Sequence, residues 1–265
     1  MSIYIEKFAH RLTFDPIPHE YTFDGVPCVG VTTLLGCLEK PFDSVYHGTR
    51  VAKREGITLQ EVLAKWKKTA DDANFRGTGI HRWVECLLLG IPYDFEYEVP
   101  RADKLAIDSA LTYILKDLRI EPEGLEVQMG DSDYGICGTC DFVGRRRNGK
   151  RVIIDWKSNA GKDFLKYDPY AEPLKGGLFH LRSDKQTIYG LQLFTYDHIL
   201  TKNIEGFEAD EHFIVHFNGT DRFIRVDVDD HRKSASLLLK NLQKGKLDLL
   251  LKEQKARKDA ENDHS

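Results

Sequence analysis

The dipeptide Asn148-Gly149 separates two apolar segments, and this arrangement constrains the fold more than any other feature of the sequence. Asn-Gly favours the tight turn of a β-hairpin, because both residues accept the positive φ angles of that turn. The segments on either side, 134–147 and 151–158, have the composition of buried strands. We therefore expect two antiparallel strands joined at this turn.

Charged residues interrupt both strands of the predicted hairpin. Asp141 lies on the first strand, and Asp155 and Lys157 lie on the second. Asp155 and Lys157 are two residues apart, so their side chains point the same way. A surface ion pair is one explanation, and such a pair contributes only about 0–1 kcal/mol. A carboxylate that holds a metal ion, next to a lysine that acts on a water molecule, is the other.

Further acids favour the second explanation. The turn lies about midway between Asp141 and Asp155, so strand pairing brings the two carboxylates together. Adjacent carboxylates repel each other unless a proton or a cation lies between them. The preceding strand-like segment, 124–130, adds Glu126. Oxygen ligands of this kind suit Mg²⁺ or Mn²⁺.

A predicted helix at 77–89 carries a histidine that could join these acids. His81 and Glu85 are four residues apart and share one face of the helix. They could form a structural hydrogen-bonded pair, or His81 could bind Mn²⁺ with the carboxylates. A zinc hydrolase site is disfavoured, because the chain has no second histidine at ligand spacing.

The order of the predicted elements indicates an α/β or α+β domain built around a mixed sheet. A β-hairpin with its turn at Asp24-Gly25 is expected within 12–35. Three strands, a helix and two more strands follow an N-terminal helical region, and a helix ends the chain. The segments with helical patterns are 41–70, 77–89, 101–118, 184–201 and 230–258.

Five motifs in this order resemble those of the PD-(D/E)XK nuclease superfamily, and within it the RecB-like and phage exonuclease branch, which has mitochondrial genome-maintenance members. They cover residues 77–200, about half of the chain. The motifs are GTGIHRWVE with His81, GLEVQM with Glu126, GTCDFVG with Asp141, IIDWKS with Asp155 and Lys157, and LQLFTYDHIL with Gln192 and Tyr196.

The resemblance implies a restriction-endonuclease-like core, in which helices flank a central mixed β-sheet. It also implies a single nuclease domain over residues 1–265. Residues 1–75 would form an N-terminal β-hairpin and helical region, residues 76–230 the core, and residues 231–265 a C-terminal helix.

The implied activity is metal-dependent exonucleolytic hydrolysis of DNA in recombination, repair or replication. Asp141 and Asp155 would hold one or two Mg²⁺ or Mn²⁺ ions, with His81 and the Trp156 carbonyl as further ligands. Lys157 would orient the attacking water or stabilise the developing charge. A structure-specific endonuclease and an inactive nucleic-acid-binding scaffold are the alternatives.

The resemblance gives the remaining motif residues supporting roles. Glu126 would complete the metal shell or assist the water. Gln192 would face the site and contact the substrate or the lysine. Tyr196, one helical turn further on, would contact the nucleic acid or pack in the core.

Basic residues near these motifs are candidates for binding DNA phosphates. Alternatively, the basic residues around Asn148-Gly149 belong to a turn that is exposed to solvent and has no binding role. The long connection 159–183 is expected to line the DNA channel. The candidate phosphate-binding residues are Arg76, Arg145, Arg146, Arg147 and Lys150.

Composition limits the other expectations. The net charge of −4 does not suit a general polyanion binder, so a recombinase or a single-strand-binding protein could assist loading on DNA. No cysteine follows Cys140, so the iron–sulfur cluster of some branch members cannot form. Without a membrane span or a signal-peptide pattern, we expect a cytoplasmic protein, in the host cytoplasm if phage-encoded.

Overall fold

A computed structural model describes residues 7–15, 20–159 and 171–263. Its strands are β1 (Leu12–Asp15), β2 (Glu20–Phe23), β3 (Val26–Gly30), β4 (Glu121–Asp131), β5 (Ile136–Arg145), β6 (Arg151–Lys157), β7 (Ala209–Phe217) and β8 (Phe223–Asp227). Its helices are α1 (Val31–Leu38), α2 (Ser44–Glu55), α3 (Leu59–Leu89), α4 (Arg101–Thr112), α5 (Lys185–Asn203), α6 (Arg232–Gln243) and α7 (Asp248–Asp263). A π-helical turn, Tyr113–Asp117, extends α4.

The strands form one mixed sheet, which confirms the α/β class with a central sheet flanked by helices. Strand order along the sheet is β1-β2-β3-β5-β6-β7-β8, and β4 pairs with the remaining edge of β5. The contacts β3–β5 and β6–β7 are parallel, and the other pairs are antiparallel. The predicted hairpin is present, since Arg145 pairs with Arg151 across the Asn148-Gly149 turn.

The sheet separates two hydrophobic cores. Along β6, Val152 and Ile154 pack into the core that α3 and α4 cover, whereas Ile153 packs into the core that α1, α5 and α6 cover. Strand β6 is buried along nearly its whole length. Asp155, which lies on this strand, is therefore within the protein.

Helix α3 is a single helix of 31 residues, where the sequence analysis expected two helices. Glycines 77 and 79 lie inside it and do not end it. A side chain at Gly79 would overlap the ring of Tyr97, which packs directly on the helix backbone there. Tertiary packing thus outweighs the low helix propensity of glycine at this position. The break in the predicted helix 41–70 lies earlier, at Gly56, where φ is 69° and α2 ends.

The other boundaries also differ from the predicted ones. The N-terminal hairpin is extended by a third strand, and β3 joins the main sheet. The predicted C-terminal helix is two helices, separated at Gly245, where φ is 67°. Helix α5 is buried almost all round, because it lies between the sheet and α6. Among the described helices, none has the length and apolar content needed to span a membrane.

Candidate active site

The site forms where two paired strands separate. Strands β5 and β6 are paired as far as Phe142 and Ile154, and β6 then continues beside β7 as far as Lys157. Beyond the last pair, the Trp156 N–H donates to the Asp141 Oδ2 at 2.8 Å. The carboxylate therefore replaces the missing strand partner. This contact was not predicted, because it depends on where the strands diverge.

Three potential metal ligands lie at this divergence. The ligand atoms of His81, Glu126 and Asp141 are all within 4.8 Å of one another. The His81 Nδ1 is 3.6 Å from the Glu126 Oε1 and 3.7 Å from the Asp141 Oδ1. Three of the predicted site residues, from helix α3 and from strands β4 and β5, are thus brought together.

The other ring nitrogen of His81 fixes the orientation of the imidazole. Its Nε2 lies 2.9 Å from the Trp156 carbonyl oxygen. Because a carbonyl only accepts, Nε2 must be the donor, and the lone pair of a neutral ring is then on Nδ1, facing Glu126 and Asp141. The Trp156 carbonyl, predicted as a ligand, here has the supporting role of holding the histidine.

Glu126 has an unusual backbone conformation. Its φ is 44°, in the left-handed region that side chains other than glycine seldom adopt, and it lies within strand β4. Such a conformation costs about 1–3 kcal/mol and is concentrated at functional sites. The positive φ interrupts the regular alternation of the strand at the residue whose carboxylate faces His81.

Asp155 lies beside the three ligands and has its own partners. Its Oδ2 is 2.6 Å from the Lys157 Nζ, and its Oδ1 accepts a hydrogen bond from the Gln192 Nε2 at 3.1 Å. The Lys157 ammonium also lies 4.5 Å from the centre of the Tyr189 ring. Tyr189 precedes Gln192 by three residues on α5, so the helical repeat was the signal that could identify it.

Burial and mutual repulsion change the protonation of these groups. Burial raises the pKa of Asp155 to about 6, against the attraction of Lys157 and with the support of Asp141. Burial also raises the pKa of Asp141. For His81, burial disfavours the charge, but Asp141 and Glu126 outweigh it and raise the pKa to about 9. The carboxylates of the site therefore repel one another, and a bound cation would reduce this repulsion.

Lys157 remains charged in this environment. Burial disfavours the ammonium, but Asp155 and Asp141 outweigh it and raise the Lys157 pKa above its ordinary value. At neutral pH the lysine is therefore a hydrogen-bond donor and a positive charge. It cannot act as the base that removes a proton from water.

Gln192 and Tyr196 follow the prediction only in part. Gln192 faces the site and contacts Asp155, whereas the sequence analysis expected the substrate or the lysine. Its Nε2 also donates to the Tyr196 hydroxyl at 3.1 Å. Tyr196 is 3% exposed and packs in the core, so it holds Gln192 and does not reach a nucleic acid.

Arg76 does not present a free guanidinium to the cleft. It donates to Asp103 at 2.7 Å and to the Ser158 carbonyl, and its contact with the Phe217 carbonyl is 3.4 Å. It therefore ties helix α3 to the ends of β6 and β7. This role differs from the phosphate contact that was predicted.

The basic residues of the hairpin tip are mostly paired with acids. Arg145 and Arg151 both contact Glu123, and Arg146 contacts Glu211. Lys150 lies 3.4 Å from Glu208. From Lys150, five residues of β6 lead to Asp155, a distance of roughly 17 Å along the strand. Of the predicted phosphate-binding residues at the tip, only Arg147 is exposed with no ion pair among the described residues.

An open cleft of about 520 Å³ leads to two of the three ligands, His81 and Glu126. Glu85, which was considered as a partner of His81, instead lies 2.6 Å from Arg82, and Arg82 also binds Asp94. Arg82 was not predicted as a site residue, and its partner Asp94 lies beyond the end of the helix. The cleft is lined by Gly77, Thr78, His81, Arg82, Glu85 and Glu126.

The connection 159–183 lies in part outside the described residues, which omit 160–170. Asn159, at its start, accepts a hydrogen bond from the His216 Nε2 at 2.7 Å. The prediction that this connection lines a DNA channel stays a prediction.

Comparison with known proteins gives weak structural similarity only. No family model matches the chain, and no curated protein matches it. Among solved structures, the chain is similar to the crystal structure of SSO0001, with a TM-score of 0.33 and 15% sequence identity. The match covers 81% of this chain and 74% of that one. This likeness is too distant to carry an inference about function.

Proposed function

We propose that the protein is a metal-dependent DNA exonuclease with a PD-(D/E)XK core. The observation that carries this proposal is the row of acids on three neighbouring strands, completed by His81 and Lys157. Glu126, Asp141 and Asp155 come from β4, β5 and β6. A solvated surface does not explain this arrangement, because Asp141 and Asp155 are buried.

The ligand set fits a divalent cation. His81, Glu126 and Asp141 would hold it, since they offer one nitrogen and two carboxylate oxygens within 4.8 Å of one another. Such a set suits Mn²⁺, and Mg²⁺ where water supplies further ligands. When bound, the cation supplies Lewis-acid polarisation of a phosphate and lowers the pKa of a bound water.

Lys157 is assigned to the phosphate or the attacking water as a charged donor. Its ammonium lies between Asp155 and the Tyr189 ring, so its position is fixed before a substrate arrives. A preorganised positive charge stabilises the negative charge that develops on the phosphate during hydrolysis. Asp155 is assigned the task of holding this lysine, with Gln192 fixing the carboxylate from the other side.

Purified protein incubated with end-labelled linear DNA, single- or double-stranded, tests the proposal. Reactions would contain Mg²⁺, Mn²⁺ or EDTA, and matching RNA would run beside the DNA. We expect metal-dependent shortening from one end, reduced by about 10²–10³-fold in Lys157→Ala. Lys150→Ala is the matched control, since this lysine is also paired with acids but lies at the hairpin tip.

Each outcome decides a part of the proposal. Cleavage of closed circular DNA would replace the exonuclease with an endonuclease. Full activity of Lys157→Ala would remove the assigned site. Cleavage of RNA alone would change the substrate, and no cleavage by a protein that still binds DNA would favour a scaffold.

A further inference from the structure

A second cleft lies at the other end of helix α3 and has no role in the chemistry described above. Its volume is about 530 Å³. It lies between α2 and the first turns of α3, and it combines aromatic rings with cationic side chains. The lining residues are Phe42, His47, Arg50, Val51, Arg54 and Trp66.

Aromatic rings in this region are exposed to an unusual degree. Phe42 is 64% exposed and Tyr46 is 56% exposed. Phe42 stacks on His47 with 4.8 Å between ring centres, and it meets the edge of Trp66 at 5.6 Å. The rings thus form a preassembled platform whose outer surface faces solvent.

The surrounding surface is positively charged, in contrast to the whole chain. Residues 40–68 contain seven Lys or Arg and three Asp or Glu, whereas the net charge of the chain is −4. Two of the acids are occupied at helix starts, where Asp43 caps α2 and Glu61 completes the capping box of α3. Among the described residues, Arg50 and Lys53 have no carboxylate within ion-pair distance, and Arg50 lies over the Tyr46 ring at 5.7 Å.

We infer that this aromatic and basic platform binds single-stranded nucleic acid. Bases stack on exposed rings whatever their sequence, and cations beside the rings bind the phosphates. Charge complementarity favours this occupant over an apolar protein surface. Bases within a duplex are already stacked on one another, so the platform should discriminate against double strands.

The position of the platform indicates the path of the strand. Trp66 and His81 lie on the same helix, fifteen residues apart. They are therefore about 22 Å apart along the axis and within roughly 60° of the same face. About six or seven stacked nucleotides span this distance. The path toward the carboxylates rests on the proposed nuclease function, but binding to the platform can be measured without cleavage.

Fluorescence anisotropy with labelled oligo(dT) tests the inference in EDTA, where no digestion occurs. We expect the double variant Phe42→Ala/Arg50→Ala to bind an oligonucleotide of about 20 residues at least about tenfold more weakly than the wild type. Both side chains are exposed, so folding should persist, and a thermal melt would verify it. Oligo(rU) and a duplex of the same length show whether the platform prefers DNA and whether it requires single strands.

Matched controls lie elsewhere on the surface. Leu249→Ala removes an exposed apolar side chain on α7, and Lys252→Ala removes an exposed lysine on the same helix. Neither should change binding. Equal affinity of the double variant and the wild type would overturn the inference, as would equal losses for single-stranded and duplex DNA.

The platform and the proposed activity fail in different ways. Weaker binding by the double variant of a protein that cleaves nothing would support the platform and reject the nuclease. Cleavage that depends on Lys157 but is unaffected by the platform variant, with unchanged binding, would support the nuclease and reject the platform.

Discussion

Helix α3 presents aromatic rings and exposed cations near Trp66, whereas near His81 the same helix faces buried carboxylates. Near Trp66, the cationic side chains are exposed to solvent, where they can attract a negatively charged partner. Near His81, charge is held inside the protein at shifted pKa values. In the proposals above, the first end binds nucleic acid and the second carries out the chemistry, so changes at the two ends should affect different measurements.

Asp141→Asn is expected to give the largest difference between the effect on cleavage and the effect on DNA binding. The asparagine can still accept the Trp156 N–H through its side-chain oxygen, so the strand divergence should persist. Loss of a ligand carboxylate should lower metal-dependent cleavage by at least about 10³-fold. Anisotropy in EDTA should show unchanged affinity for single-stranded DNA, and a large loss of affinity would mean that the two ends are not separate.

The hairpin tip provides a third basic region for this comparison. Arg151 is 7% exposed and contacts Glu123 and the Gly206 carbonyl. Arg151→Ala should lower the free energy of unfolding in urea by about 1–3 kcal/mol, because the Gly206 carbonyl loses this donor and Glu123 keeps only Arg145. Arg147→Ala, at the exposed tip, should change it by less than about 0.5 kcal/mol.

The affinity of these variants for DNA shows whether the hairpin tip only stabilises the fold or also binds nucleic acid. Neither arginine variant should alter the affinity for oligo(dT). Weaker binding by Arg151→Ala at unchanged stability would show that the tip belongs with the binding end of α3.

The stability contributed by the carboxylate cluster near His81 should depend on both pH and bound metal. The pKa of Asp155 is raised from 3.8 to about 6, so its protonated form stabilises the metal-free fold at low pH, and this contribution is lost as the pH rises through 6. Protonated His81 contributes below pH 6.5, and its contribution is lost as the pH rises through about 9. A cation replaces these protons, so Mn²⁺ should raise the melting temperature by a few degrees more at about pH 8 than at about pH 5.

The same thermal melts include a negative control. Asp141→Asn should lose most of the Mn²⁺-dependent rise at both pH values. A rise that is independent of pH, or that persists in this variant, would place metal binding somewhere other than this site.

The smallest effect is expected from Tyr196→Phe. It removes the acceptor of one Gln192 hydrogen bond and leaves the contact between Gln192 and Asp155. We expect a loss of stability of about 1 kcal/mol and less than about tenfold lower cleavage. A loss as large as that of Lys157→Ala would mean that Tyr196 takes part in the reaction.

Local sequence signals were sufficient for the centre of the site. The Asn148-Gly149 turn fixes the register that brings Asp141 near Asp155, and the strand period places Asp155 and Lys157 on one side. The α/β class followed from the same signals. The PD-(D/E)XK assignment stays a prediction.

Features that depend on distant partners could not be predicted. The hairpin tip pairs with acids that are far from it in sequence, namely Glu123, Glu208 and Glu211. The sequence alone therefore predicted a cluster of unpaired basic residues at the tip. The continuity of α3 likewise depends on Tyr97, which packs on Gly79 from outside the helix. Charge and propensity are local quantities, whereas pairing and packing are set by the completed fold.

The backbone of Glu126 carries a cost in stability that the proposed activity would explain. A glycine at this position would accept the positive φ without strain, and it would also remove a carboxylate from a cluster that is already too negative. A chain under selection for stability alone would favour that replacement. A glutamate that persists in this conformation fits the proposed role of its carboxylate as a metal ligand, because that role would offset the cost of the strained backbone.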